Sequence, residues 1–202
     1  MSYDADVHLA PNTYFDRHFG CQAVKILPGE YFVTAKDQLI VTVLGSCVAA
    51  CVFDADREIG GMNHFLLPND GAVDAGMVNE SARYGVYAME LLINHLLKLG
   101  ARRSRLAAKV FGGGNVLQGI TYTNVGERNA EFVLEFLRNE RIPLLAQDLL
   151  DRFPRKVYYF PSTSKVMVRK LKNMHNTTII DRESEYRMRM KAAPKSGEVD
   201  LF

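Results

Sequence analysis

The residues of this sequence whose side chains could take part in a reaction lie in two short apolar segments. The first, "VLGSCVAACVFD", places Cys47 after the Gly45–Ser46 pair, and the second, "MNHFLLP", carries His64, 17 residues downstream of the cysteine (64 − 47 = 17). A free thiol is only in minor part ionised at neutral pH, so a nucleophilic cysteine needs a partner base, usually histidine. If the segments form adjacent antiparallel strands, the two side chains become neighbours. The spacing therefore makes Cys47 a candidate nucleophile and His64 its candidate base.

The turn before the cysteine adds a second element of such a site. A Gly-Ser pair suits a tight turn, which presents the sulfur beyond the strand's pleat and leaves backbone N–H groups free. Gly45 and Ser46 are therefore candidate oxyanion-binding or substrate-binding residues. Ser46 is not predicted as a nucleophile, because the G-x-S-x-G elbow is missing.

A purely structural interpretation of the same residues stays open. Buried cysteines are common as small hydrophobic residues, and a single histidine in a strand is often only a hydrogen-bonded core residue. Cys51 lies an even step along the strand from Cys47 and is interpreted as core, since a disulfide along one strand has poor geometry. The run "FGGGNV" lacks the spacing of a nucleotide-binding loop, and we expect it to permit a close backbone approach near a site.

Composition limits the class of protein. A chain of 202 residues with 48% hydrophobic residues can bury a substantial core, and its net charge of +2 argues against strong non-specific nucleic-acid binding. Three cysteines and an acidic opening, "MSYDADVHLA", without a signal-peptide core predict a reducing, cytoplasmic setting. The uncharged apolar run of residues 39–53 is too short for a membrane span, so no membrane insertion is expected.

The elements that position these residues are mostly strands. Strands are predicted at "LIVTV", "CVAACVF", "MNHFLLP", "RLAAKVF", "RIPLLAQ", "KVYYF" and "KVMVRKL", and amphipathic helices after Asn79, its expected cap, and near residues 130–137. Strands that follow one another directly favour an α+β layered sandwich of two packed mixed or antiparallel sheets with helices on one side. The expected organisation is an irregular N-terminal arm (1–25), a single catalytic domain (26–180) and a solvated polar tail (181–202).

Five segments occur together in a diagnostic order. They are "VTVLGSCVAACVFD", "IGGMNHFLLP", "KVFGGGNV", "VGERN" and "RKVYYF". In order and spacing they resemble the chemoreceptor glutamine deamidases, the CheD family, from about Pro28 to Leu171. The LGSC and GGMNHFLLP pair is the specific part of this resemblance.

The resemblance implies a function and a site. Members of that family hydrolyse selected glutamine side chains of methyl-accepting chemotaxis receptors to glutamate, with a Cys–His pair supported by a threonine. By position, Cys47 matches the nucleophile, His64 the base and Thr42 the threonine. No metal or cofactor is implied; the implied partners are the receptors, as protein substrates, and a chemotaxis phosphatase. The implied fold is a layered sandwich of two sheets with helices on one side, and the implied site is open and shallow.

Two departures and two alternatives accompany the resemblance. The family usually has a Gly-Gly pair where "LLDRFPRKV" follows Asp148 here, and Ser164 stands where glycine is common. Another Cys–His hydrolase, such as a peptidase or small-molecule amidase, would use the same pair. A non-enzymatic module that binds receptors or a phosphatase would keep only a vestigial site.

Overall fold

The strands form two five-stranded sheets. The computed structural model describes residues 9–68, 75–115, 125–172 and 177–192. The first sheet, in spatial order, consists of β1 (Asn12–Asp16), β2 (Cys21–Lys25), β4 (Leu39–Leu44), β9 (Arg155–Phe160) and β10 (Lys165–Lys170). The second consists of β3 (Tyr31–Thr34), β6 (Ile59–Asn63), β5 (Val48–Asp54), β7 (Ala107–Gly112) and β8 (Leu144–Leu149).

Both sheets are mixed. The pairs β2–β4 and β7–β8 are parallel, and the other pairs of neighbouring strands are antiparallel. The predicted α+β class with two packed sheets is confirmed.

Alternation along the strands separates two cores. On β5 the even residues Val48, Ala50 and Val52 face the helices, while Ala49 and Cys51 face the other sheet. The space between the sheets is filled by Val24, Ile26, Ile40, Leu44, Ala49, Cys51, Met62, Leu66, Val157 and Tyr159. Cys51 is fully buried there, as expected of a core residue.

Two of the helices cover the outer face of the second sheet. α1 (Ala75–Lys98) and α2 (Val125–Asn139) bury one apolar stripe each against it. Their buried residues there include Met89, Leu92, Ile93, Leu96, Val133, Phe136 and Leu137. Asn79, expected as a cap, lies inside α1 instead, because the helix begins at Ala75. Among the described residues, no helix is both long and apolar enough to cross a membrane.

Both ends of the chain differ from the expectation. Part of the expected irregular arm forms the hairpin β1–β2, which joins the first sheet through β4. Part of the expected solvated tail forms α3 (Thr177–Ala192), with Ile179, Glu183 and Tyr186 buried. The tail prediction was wrong for residues 181–192; residues 193–202 lie outside the described residues.

The two segments that depart from the family pattern include backbone in the left-handed region. Leu150 and Asp151, in the "LLDRFPRKV" segment after Asp148, have φ of 64° and 74°, and Ser164 has φ of 55°. Non-glycine residues seldom adopt the left-handed region. Glycine, which the family resemblance predicted in that segment and at position 164, adopts it without strain.

Candidate active site

The segment Gly45–Cys47 is the corner at which the chain passes from one sheet to the other. It connects β4 in the first sheet with β5 in the second. Cys47 is fully buried and Ser46 is 4% exposed. The turn that the Gly-Ser pair predicted is present, and it lies at the end of the sandwich.

Each backbone carbonyl of this corner accepts a hydrogen bond from another part of the protein. The Gly113 N–H donates to the Cys47 carbonyl and the Gly114 N–H to the Gly45 carbonyl, each at 2.8 Å. The Asn129 side-chain amide donates to the Ser46 carbonyl at 2.8 Å. With the three carbonyls held, the N–H groups of the same residues are left to point to the other side, as in an anion-binding nest.

The glycine run supports the corner by close backbone contact. Gly112 has φ of +110°, and a Cβ there would lie 2.2 Å from the Cys47 carbonyl oxygen. Gly113 has φ of +65° and brings its N–H onto that same oxygen. The prediction that "FGGGNV" permits a close approach near the site is confirmed for Gly112 and Gly113; residues 116–124 lie outside the described residues.

Cys47 and His64 lie on the same face of paired segments. Val48 and Phe65 exchange both backbone hydrogen bonds, at 3.0 and 2.9 Å, in continuation of the β5–β6 pairing. This register sets Cys47 opposite Leu66, which makes His64 its diagonal neighbour rather than its direct partner. Diagonal neighbours on one face are within reach of each other's longer side chains.

Thr42 holds the imidazole from the opposite sheet. Its hydroxyl lies 2.8 Å from His64 Nδ1 and donates to the Ile26 carbonyl, also at 2.8 Å. Because that hydroxyl has one hydrogen and the carbonyl only accepts, both bonds form only if Nδ1 carries a proton and donates to Thr42. The proton-free nitrogen is then Nε2, which is buried and has no hydrogen-bond partner among the described residues.

Asn129 was not anticipated as a site residue. It is fully buried on α2, and its carbonyl oxygen accepts from the Leu67 N–H at 2.9 Å while its amide donates to Ser46. One side chain thus ties the segment of Cys47 to the segment of His64. Its position in "VGERN" was the available signal, since a polar residue on the apolar face of an amphipathic helix demands a partner.

The carboxylate of Glu183, on α3, binds the backbone N–H groups of this corner. Its Oε1 accepts from the Gly45 and Cys47 N–H groups at 3.1 and 3.2 Å, and its Oε2 accepts from the Ser46 N–H at 3.3 Å. The Ser46 hydroxyl also donates to Oε2. This residue was missed because it lies in the segment predicted as a solvated tail.

Burial and Glu183 keep the two candidate catalytic groups uncharged. Burial, followed by the charge of Glu183 and its hydrogen bond to the thiol, raises the pKa of Cys47 well above its ordinary value. Burial lowers the pKa of His64 to about 3. The expected open, shallow site is not observed, because α3 covers it.

Comparisons with known proteins place the chain among relatives that match most of its length. Residues 66–170 match the family model described as "CheD chemotactic sensory transduction". The chain is 67% identical to "Probable chemoreceptor glutamine deamidase CheD 1" of Shewanella oneidensis, over 95% of this chain and 93% of that protein. It is 62% identical to the protein of the same name from Dechloromonas aromatica, over the whole of both chains.

These matches define the family. Both the extent of the family match and the identity to full-length relatives exceed what chance or a shared fold produces, and the chain belongs to the CheD family. The resemblance expected from the five sequence segments is confirmed.

Proposed function

We propose that this protein is a cytoplasmic deamidase that converts selected glutamine side chains of methyl-accepting chemotaxis receptors to glutamate. The observation that supports it best is the convergence of the Gly45, Ser46 and Cys47 N–H groups on one side-chain carboxylate beside the Cys47 thiol. Such a nest suits the oxygen of a side-chain amide under attack by that thiol. The names of the relatives, which describe chemoreceptor glutamine deamidases, support the choice of substrate.

The proposed reaction begins with proton transfer from Cys47 to His64 Nε2. The thiolate attacks the amide carbon of the glutamine, and the oxygen that becomes negative is held by the N–H groups of the corner. Protonated His64 then gives its proton to the departing ammonia, which leaves a thioester. Water, deprotonated by His64, breaks the sulfur–carbon bond and releases glutamate.

Thr42 acts in this scheme by orientation. By accepting from Nδ1 it keeps Nε2 free to receive the thiol proton, as the third member of a catalytic triad does. No step requires a metal or a cofactor. A chemotaxis phosphatase as a further binding partner stays a prediction from the family resemblance.

The test is mass spectrometry of a purified receptor signalling fragment after incubation with the protein. Wild type should raise the fragment mass by about one dalton per target glutamine and release an equal amount of ammonia. Cys47→Ala should abolish both changes, whereas Cys51→Ala, a buried cysteine on the same strand face, should retain them.

Other outcomes would contradict the proposal. Cleavage of the fragment backbone would identify a Cys–His peptidase. Binding of the fragment with no mass change, equal in wild type and Cys47→Ala, would identify a non-enzymatic module.

A further inference from the structure

α3 lies across the candidate active site with one face buried. Ile179, Glu183, Tyr186 and Met190 follow one another at steps of four, three and four residues, which is the spacing of a single helix face. Ile179 is 6%, Glu183 4% and Tyr186 9% exposed, and Met190 is partly buried against the inter-sheet core. A glutamate therefore stands in the middle of the helix's buried stripe.

Further contacts fix the helix at this place. The Tyr186 ring lies against Gly29, where a Cβ would come within 2.5 Å of it, and the Tyr186 hydroxyl hydrogen-bonds the Tyr84 hydroxyl on α1. The Arg187 guanidinium donates to the Ser46 hydroxyl at 3.2 Å. The helix thus contacts the site through Glu183 and is held beside it by Tyr186 and Arg187 as well.

The Glu183 carboxylate has the chemistry of the reaction's product. The proposed reaction turns a glutamine side chain into a glutamate side chain, and Glu183 holds that group in the nest next to the nucleophile. A buried carboxylate with four donors is well stabilised, so the contact is specific rather than incidental. A glutamine in the same place would set its oxygen at the Oε1 position, between the Gly45 and Cys47 N–H groups. Its amide nitrogen would then lie beside the Ser46 hydroxyl, which can accept from it, while the Ser46 N–H would lose the acceptor that it has in Glu183.

We propose that α3 is a built-in product mimic that occupies the substrate groove, so that the protein rests in a self-inhibited state and binds its substrate as a glutamine displayed on a helix. This inference rests on the proposed function and specifies how the same site recognises its substrate. Substrate gains access only when α3 leaves, and the departure of Glu183 also removes the negative charge that opposes ionisation of Cys47.

The proposal predicts a new activity for one variant. In Glu183→Gln the seated side chain becomes an intramolecular substrate. Cys47 Sγ bonds to its amide carbon, the carbon–nitrogen bond breaks with ammonia taking a proton from His64, and water hydrolyses the thioester to restore glutamate. The purified variant should therefore carry glutamate at position 183, with a gain of about one dalton over the encoded mass.

Matched variants control this experiment. Glu185→Gln, at an exposed glutamate two residues along the same helix, should keep its glutamine, and so should Glu183→Gln combined with Cys47→Ala. Tandem mass spectrometry assigns any gain to position 183 or 185. A glutamine that persists at position 183, in a preparation that deamidates receptor fragments, overturns the proposal and leaves the proposed function intact.

Thiol alkylation supplies a readout that does not depend on activity. Glu183→Ala should raise the rate at which iodoacetamide modifies Cys47 by about tenfold or more, and Glu185→Ala should not. Partly exposed Cys21 and buried Cys51 serve as internal references in each protein. Equal Cys47 rates in wild type and Glu183→Ala would contradict the proposal.

The two experiments together separate this inference from the proposed function. The introduced glutamine of Glu183→Gln could be converted, and Cys47 unmasked in Glu183→Ala, while receptor fragments stay unmodified. In that case the product mimic stands and the receptor substrate fails.

Discussion

The Thr42 hydroxyl forms a hydrogen bond across the two sheets to His64, and the proton in that bond decides which imidazole nitrogen is free. It accepts from His64 Nδ1 while its own hydrogen is committed to the Ile26 carbonyl, which leaves Nε2 as the proposed base. Thr42→Val removes that acceptor, and we expect kcat for receptor deamidation to fall about 10- to 100-fold with little change in KM. Thr42→Ser keeps the oxygen and should stay close to wild type. Steady-state ammonia release from a receptor fragment measures both; a valine variant with wild-type kcat would contradict the role.

Asn129 positions the two catalytic segments without touching the reacting atoms. Asn129→Leu has a similar volume but leaves the Ser46 carbonyl and the Leu67 N–H unpaired in a buried site. We expect a loss of about 1–3 kcal/mol in the free energy of unfolding.

The same variant should affect activity through Cys47. At a temperature where the variant is fully folded, kcat should fall by a larger factor than KM changes. The reason is that the corner relaxes away from its productive geometry. Urea unfolding and ammonia-release kinetics, with Asn139→Leu at the end of the same helix as control, separate this effect from general helix damage. Equal kinetics of Asn129→Leu and wild type would refute a positioning role.

At the scale of single residues, the sequence identified the candidate reactive side chains and missed the residues that hydrogen-bond the segments around them. Cys47 and His64 stood out because a thiol and an imidazole at this spacing could form a nucleophile and its base. Asn129 did not, since an asparagine shows its function only when the groups it bonds, 62 and 83 positions away, are known. Glu183 was hidden because charged residues surround it in sequence.

Substitution of Ser164 tests whether a non-glycine residue in the left-handed conformation lowers the stability of this protein. Ser164 ends the short 3₁₀ turn Pro161–Thr163 with φ of 55°, at a position where the family resemblance predicted glycine. Ser164→Gly relieves a left-handed conformation that costs an L-residue about 1 kcal/mol, and should raise the free energy of unfolding by that amount. Thr163→Gly, one residue earlier in the 3₁₀ turn, should lower stability by about 0.5–1 kcal/mol. Denaturant midpoints decide; a destabilised Ser164→Gly protein would contradict the argument.

The elements that were predicted well are those that bury a regular stripe. α1, α2 and the strands around the site show apolar periodicities of helix or strand, and their identity follows from burial. Among the described side chains of α3, Ile179, Glu183 and Tyr186 are buried and Met190 is partly buried, and the acidic member of this stripe interrupts the apolar signal. The hairpin β1–β2 was missed for a different reason, since its edge strand β1 is mostly exposed and its residues resemble a polar loop.

The whole molecule assembles the site from both sheets and two of the helices. Thr42 comes from the first sheet, His64 from the second, Cys47 from the corner between them, Asn129 from α2 and Glu183 from α3. Loss of sheet packing would therefore separate the base from its orienting hydroxyl. For this reason a change that lowers folding stability also disrupts the site. The pH dependence of the free energy of unfolding, through the protonation of His64, measures this link.

Burial of neutral His64 predicts acid sensitivity of the fold. Its pKa is lowered from 6.5 to about 3 in the folded protein, so between these values the unfolded chain binds a proton at His64 that the folded protein does not. Stability must then fall as pH falls through this window, with a contribution of up to about 1.4 kcal/mol per pH unit. In His64→Asn, whose side chain does not titrate, this contribution is absent. Urea unfolding of both proteins at pH 7, 6, 5 and 4 should show the wild type losing stability more steeply. Parallel curves would mean that the folded and unfolded proteins take up the same protons at His64, so that its pKa is not lowered on folding, and this would contradict the burial of a neutral imidazole.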